Sequence, residues 1–142
     1  MRMRKTLTIL LFLATLAARQ PIVYFYVIPF DNLKDDSSIE WIASGLSDMV
    51  SNKFKNEPGL LIQSKQDLEI IMNDRSLMLK QPISSRNLLL LGKYSRKLEK
   101  INVSVQLIDL ATWDQIESKD ISAEYSDISK MKDEVSENIR SM

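Results

Sequence analysis

Four carboxylates, Asp31, Asp35, Asp36 and Glu40, crowd the segment that follows the apolar run Ile22 to Ile28. Grouped oxygen ligands can collect a divalent cation, and strand exits in α/β folds are common ligand positions. The spacing does not match an EF-hand loop, so the plainer expectation is a solvated loop whose acids offset the positive end of the following helix. Asp31 and Asn32 are expected to bond local backbone N–H groups and set the turn. They are also candidate binding residues, because a solute entering the strand-exit crevice would meet them. A hydrolase built on paired carboxylates would need two of these acids to converge in a cleft.

Other chemistries are excluded by composition. The 142 residues contain no His and no Cys, so Ser-His-Asp and Cys-His catalysis are impossible and ordinary zinc ligation, which relies on His and Cys, is not expected. Gly45, Gly59 and Gly92 are the only glycines, and their isolation rules out a Gly-rich loop that could cradle phosphates. We expect no catalytic residue, no metal site and no cofactor. The two tryptophans are candidate contact anchors, since aromatics dominate binding hot spots. Trp41 falls in the first turn of a helix, where a ring at a helix–sheet edge is the alternative. Trp113 falls at a hairpin, where it either points into water as an anchor or folds back onto the sheet's edge. Asn102-Val103-Ser104 has the glycosylation pattern but lies inside a predicted strand, and is discounted.

These residues need elements to hold them. Ile22 to Ile28 is an almost unbroken β-branched and aromatic run, suited to a central strand covered on both faces and closed by Pro29. Ser37 with Glu40 reads as a capping box for a helix whose apolar stripe is Ile39, Ile42, Leu46, Met49, Val50 and Phe54. Pro58 and Gly59 stop it, and Leu60 to Ile62 is a short second strand joined by a parallel crossover. Ser64 with Asp67 caps a second helix carrying Leu68, Ile71, Met72 and Leu79, which ends before Pro82.

Asn87 to Ser95 is a third strand, in which Gly92 marks a bulge or a close backbone approach. Ile101, Val103, Val105 and Leu107 alternate with Asn102, Ser104 and Gln106, the pattern of a half-buried antiparallel strand. Lys97 to Lys100 is the hairpin between these two strands. After a turn at Asp109 to Asp114, a further strand runs from Gln115 to about Tyr125. Ser126 or Asp127 caps the last helix, with Ile128, Met131, Val135 and Ile139 facing inward. The expected fold class is α/β, a mixed β-sheet with packed helices in the order β-α-β-α-β-β-β-α.

The strand, its Pro-Phe-Asp-Asn exit (Pro29 to Asn32) and the Glu-Trp-Ile-Ala-Ser-Gly-Leu helix start (Glu40 to Leu46) resemble the opening of the TolB amino-terminal-like domain. Weaker likenesses recur at Leu89 to Gly92, Val105 to Thr112 and Asp127 to Ile139. That domain belongs to a group of bacterial envelope modules that includes FlgO-like and CsgG-like proteins. The resemblance implies a non-catalytic part of an envelope assembly. Two departures stand out: Trp113 occupies a hairpin position where related domains usually have a turn glycine, and Gln81 to Arg86 replaces a further helix. The second departure is expected to bare Leu77, Met78 and Leu79 for a partner or for a homo-oligomer. No membrane-spanning hairpin is present in the sequence, so pore formation is not carried over.

Arg2, Arg4 and Lys5 precede an apolar run from Leu7 to Ala18, too short to span a bilayer and ending in small residues. We expect residues 1–18 to be a signal peptide cut after Ala17 or Ala18, and residues 21–142 to be one domain. No Cys follows, which excludes a lipid anchor of the lipoprotein type. Loss of the three leader cations takes the balanced 19 basic and 19 acidic residues to a net charge of about −3. The remaining Lys and Arg are dispersed, so neither nucleic acid nor an anionic membrane is an expected partner. The expected function is a non-enzymatic interaction module of the bacterial periplasm or outer membrane that binds an envelope protein or assembly. The alternative is a periplasmic small-ligand sensor.

Overall fold

The computed structural model describes residues 21–142; the expected leader lies outside the described residues. The chain runs β1 (Val23–Val27), β2 (Asp31–Asn32), a 3-10 turn (Ser37–Ile39), α1 (Trp41–Phe54), β3 (Leu60–Gln63), α2 (Lys65–Asn73) and α3 (Ser76–Leu79). The second half is β4 (Arg86–Lys97), β5 (Lys100–Asp109), β6 (Gln115–Glu124), a 3-10 turn (Tyr125–Asp127) and α4 (Ile128–Arg140). It is a mixed α/β fold. One sheet has the strand order β3-β1-β4-β5-β6, with β2 also paired to β4. β1 lies parallel to both β3 and β4, whereas β4, β5 and β6 form the antiparallel meander.

Pro29 does close the first strand, as its missing N–H requires. The chain then re-enters the sheet at β2, pairing Asp31 with Lys93 and Asn32 with Tyr94, a pairing the sequence pattern did not indicate. Between the two strands Phe30 turns inward over Gly92. A Cβ at Gly92 would lie 2.3 Å from the Phe30 ring, so glycine is there for close packing and not for its conformation.

The start of the first helix differs from expectation. Asp36, not Ser37, is the cap, and it caps the 3-10 turn that leads into α1: its Oδ1 accepts from the Ser38 N–H at 3.0 Å and the Ser38 hydroxyl at 2.6 Å, while Glu40 at the start of α1 makes no side-chain cap bond. Glu40 does not reach back to Ser37, because its carboxylate is taken by the Asn32 amide. The box at Ser64 and Asp67 forms as expected, with the Ser64 N–H donating to Asp67 at 2.8 Å. The expected second helix is two pieces: Asp74 leaves helical geometry, and its carboxylate accepts from the Ser76 N–H at 3.1 Å just before α3. Asp127 caps α4 by accepting from the Lys130 N–H at 3.1 Å.

Side chains alternate across the sheet, and both faces are used. On one face Phe25, Leu90, Tyr94, Val103 and Val105 pack against Ile42, Leu46 and Val50 of α1 and Met131, Val135 and Ile139 of α4. On the other, Tyr26, Leu89, Ile108 and Leu110 pack with Ile71 of α2. α2 and α3 cover only the β1 side of this second face. Beyond them a polar surface of Lys93, Ser95, Asn102, Ser104, Asp120 and Ser122 faces solvent.

Candidate binding surfaces at the two ends of the sheet

At the C-terminal end of β1, the short β2 holds Asn32 beside the start of α1. Its Nδ2 donates to the Asp36 carbonyl at 2.9 Å and to Glu40 Oε2 at 2.9 Å. The turn is closed by the Asp35 N–H on the Asn32 carbonyl at 3.3 Å, with Asp35 in the left-handed region at φ 49°. The Asn32 backbone carbonyl accepts the local Asp35 N–H, whereas its side chain does not accept from local N–H groups as expected. An amide brings donors, and here a carbonyl and a carboxylate claim them, while the acceptor role falls to Asp36. Hydrogen bonds from the Ser38 hydroxyl and N–H hold the Asp36 carboxyl below the ordinary carboxylate range.

Asn32 Oδ1 is buried and has no hydrogen-bond partner among the described residues. The neighbouring crevice, about 420 Å³, is lined by Asp31, Asn32, Asp35, Glu40 and Lys65 together with apolar groups of Ile28 to Phe30 and Ala43. Asp31 is exposed at its rim. Among the described residues no three Asp or Glu side chains converge in a way that could hold a metal ion. Trp41 sits beside this crevice on α1, 48% exposed, with its ring along the helix surface near Gly45.

Trp113 lies at the opposite end. The hairpin that carries it abuts Asn87 at the start of β4, where the Leu110 N–H bonds the Asn87 carbonyl, whereas Glu40 lies beside Tyr94. Seven residues of strand separate the two contacts, roughly 20 Å. The tryptophans therefore lie at opposite ends of the sheet. Of the four sequence candidates, the fold groups Asp31, Asn32 and Trp41 and leaves Trp113 apart.

Trp113 is 49% exposed and adopts φ 66°. Its N–H donates to the Asp109 carbonyl at 2.7 Å, and the Asp109 N–H to the Asp114 carbonyl at 3.0 Å, which fixes the turn. The Arg75 guanidinium stands 5.7 Å from the ring and donates to the Leu110 carbonyl at 2.6 Å. That link brings α3 and the Gln81 to Arg86 segment to the same end. Leu77 and Met78 pack onto the smaller core and are not bared. Leu79 is exposed as expected, and Ile83, which sequence reading missed, is wholly exposed. An apolar residue just after Pro82, in a turn with no helix to face, was the available signal.

This strand-helix-strand crossover running into a three-strand meander, closed by a helix on the α1 face, is similar in fold to part of TolB from Acinetobacter baumannii. The two match with a TM-score of 0.56 at 17% identity, over 85% of this chain and 28% of that one. The fold is TolB-like. The chain thus spans little more than a quarter of the TolB it matches. PelC from Paraburkholderia phytofirmans, solved as a dodecamer, matches with a TM-score of 0.50 at 12% identity, over 84% of this chain and 88% of that one. The LpoB C-terminal domain from Salmonella enterica follows at 0.48 and 11% identity, over 76% and 86%. No family model and no curated protein matches the chain.

Proposed function

We propose that this chain is an exported, non-enzymatic interaction module of the bacterial envelope, and that it docks another envelope protein through the end of the sheet that carries Trp113. The observation that carries the reading is the exposure of Trp113, Leu79 and Ile83 around the β5–β6 hairpin and α3. Large apolar side chains held in water by a fixed backbone lose unfavourable hydration when a partner covers them. Arg75 keeps the indole in place, so little ordering entropy opposes docking. The absence of His and Cys removes the common catalytic nucleophile systems. The leader-like residues 1–18 support export, the TolB-like fold agrees with the sequence resemblance to envelope modules, and the PelC dodecamer is an instance of this fold in an assembly.

The test is affinity capture from solubilised envelopes with the wild-type chain and with a Trp113→Ser, Ile83→Ser variant. A specific envelope partner retained by the wild type and lost by the folded variant supports the reading. Equal capture by both places the docking surface elsewhere and overturns it.

A second reading is favoured by the orphaned Asn32 Oδ1 beside the polar crevice. The polar lining of that crevice, with Asp31 at the rim, would suit a solute bearing amine or hydroxyl groups. Thermal stabilisation by amine or polyol solutes, abolished in Asn32→Leu, would promote it over the docking module.

A further inference from the structure

β6 ends the sheet, and its ten residues show a long unpaired edge with no strand beyond it among the described residues. On such an edge alternate residues aim their N–H and C=O groups outward, ready to pair with another strand. The charges along β6 restrict what can pair. Glu117 and Lys119 lie on the same face, bridged at 2.9 Å and each about one-third exposed. Asp120 lies on the other face, opposite Ser104 of β5.

Two copies of β6 can pair only antiparallel about a two-fold axis normal to the sheet, which sets one residue opposite its own copy and keeps opposed residues on a shared face. Centring on Glu117, Lys119 or Asp120 opposes like charges at the axis, which destabilises a cross-strand pair. Centring on Ser118 sets a small side chain opposite itself. It also places Glu117 opposite the second copy's Lys119 and Lys119 opposite the second copy's Glu117, two reciprocal ion pairs. Outward from there the regular pairing stops at Ile116 and Asp120, because the irregularity at Ile116 turns Gln115 to the face opposite Ile121. The irregularity opposite Leu107 and Ile108 falls at Ile116, so the regular ladder of β6 begins at Glu117 and includes this charged centre.

We infer that a second copy of this chain pairs along β6, in the register centred on Ser118, to make one continuous sheet across a dimer. This edge adjoins the hairpin that carries Trp113, but the inference rests on the charges along β6 and not on the proposed function.

The test uses sedimentation of the purified protein and two charge variants. Wild type gives a concentration-dependent rise to twice the monomer mass, weakened by added salt. Glu117→Lys alone and Lys119→Glu alone each oppose like charges across the axis and sediment as monomers. An equimolar mixture of these two variants restores opposite charges at both positions and returns to the doubled mass. The double variant Glu117→Lys, Lys119→Glu keeps both pairs and also dimerises, which serves if a single variant fails to fold. A wild type that stays monomeric at every concentration overturns the inference. So does dimerisation of either single variant alone as strong as that of the wild type, or a mixture that stays monomeric.

Discussion

Trp113 holds a left-handed backbone that glycine adopts freely and a bulky residue does not. Two substitutions separate that strain from the loss of the ring. Trp113→Ala removes the indole and its contact with Arg75 but keeps the strained φ; Trp113→Gly removes both. We expect the glycine variant to be about 1 kcal/mol more stable than the alanine variant by denaturant unfolding, the ordinary penalty for a left-handed non-glycine residue. Equal stabilities would mean that the turn carries no strain. Trp113 stands where domains resembling this one usually have a turn glycine, so the backbone demand of the position is legible in the sequence.

Asp36, Asp67 and Asp74 share one device, a carboxylate held below the ordinary 3.8 chiefly by a serine hydroxyl, with a smaller contribution from the same serine's N–H. A depressed folded-state pKa contributes stability that is complete above the unfolded value and is lost as pH falls through the folded one. Stability should therefore fall as the pH drops through and below the ordinary carboxylate value of 3.8. Ser64→Ala should lower stability by about 1 kcal/mol near neutral pH and leave a shallower acid slope. An unchanged slope would remove Asp67 from the acid response. The Ser64 box was readable because nothing competes for its members. At Ser37 the same pattern misled, because Asn32, brought close by a strand pairing distant in sequence, takes Glu40.

Among the elements, β4 organises the molecule: it pairs with β1, β2 and β5, and its side chains enter both cores. Phe30 over Gly92 locks the β1–β2 connection onto it. Gly92→Ala forces that ring to move and should destabilise the fold by about 1–3 kcal/mol, the usual range for overpacking. A neutral effect would show that Phe30 has room to withdraw. The main strands and helices were legible from periodicity, since half-buried strands and amphipathic helices write their environment into their residues. β2 was not, because two residues carry no period, and neither was the break at Asp74, where a local hydrogen bond to Ser76 overrides a continuing apolar pattern.

At the scale of the whole molecule, the sheet separates two surfaces: a polar crevice with Asp31, Asn32 and Trp41 at one end, and an apolar surface with Trp113, Leu79 and Ile83 at the other. Sequence supplied the residues but not their grouping, because which loops share an end is set by strand order. The measurement that bears most directly on the docking account is site-specific photo-crosslinking in the cells that make the protein, with one probe at position 113 and a matched probe at position 41. The account predicts one dominant envelope-protein adduct from position 113 and none of comparable yield from position 41. A dominant adduct from position 41 alone, or no protein adduct from position 113 in a folded and exported chain, would contradict it.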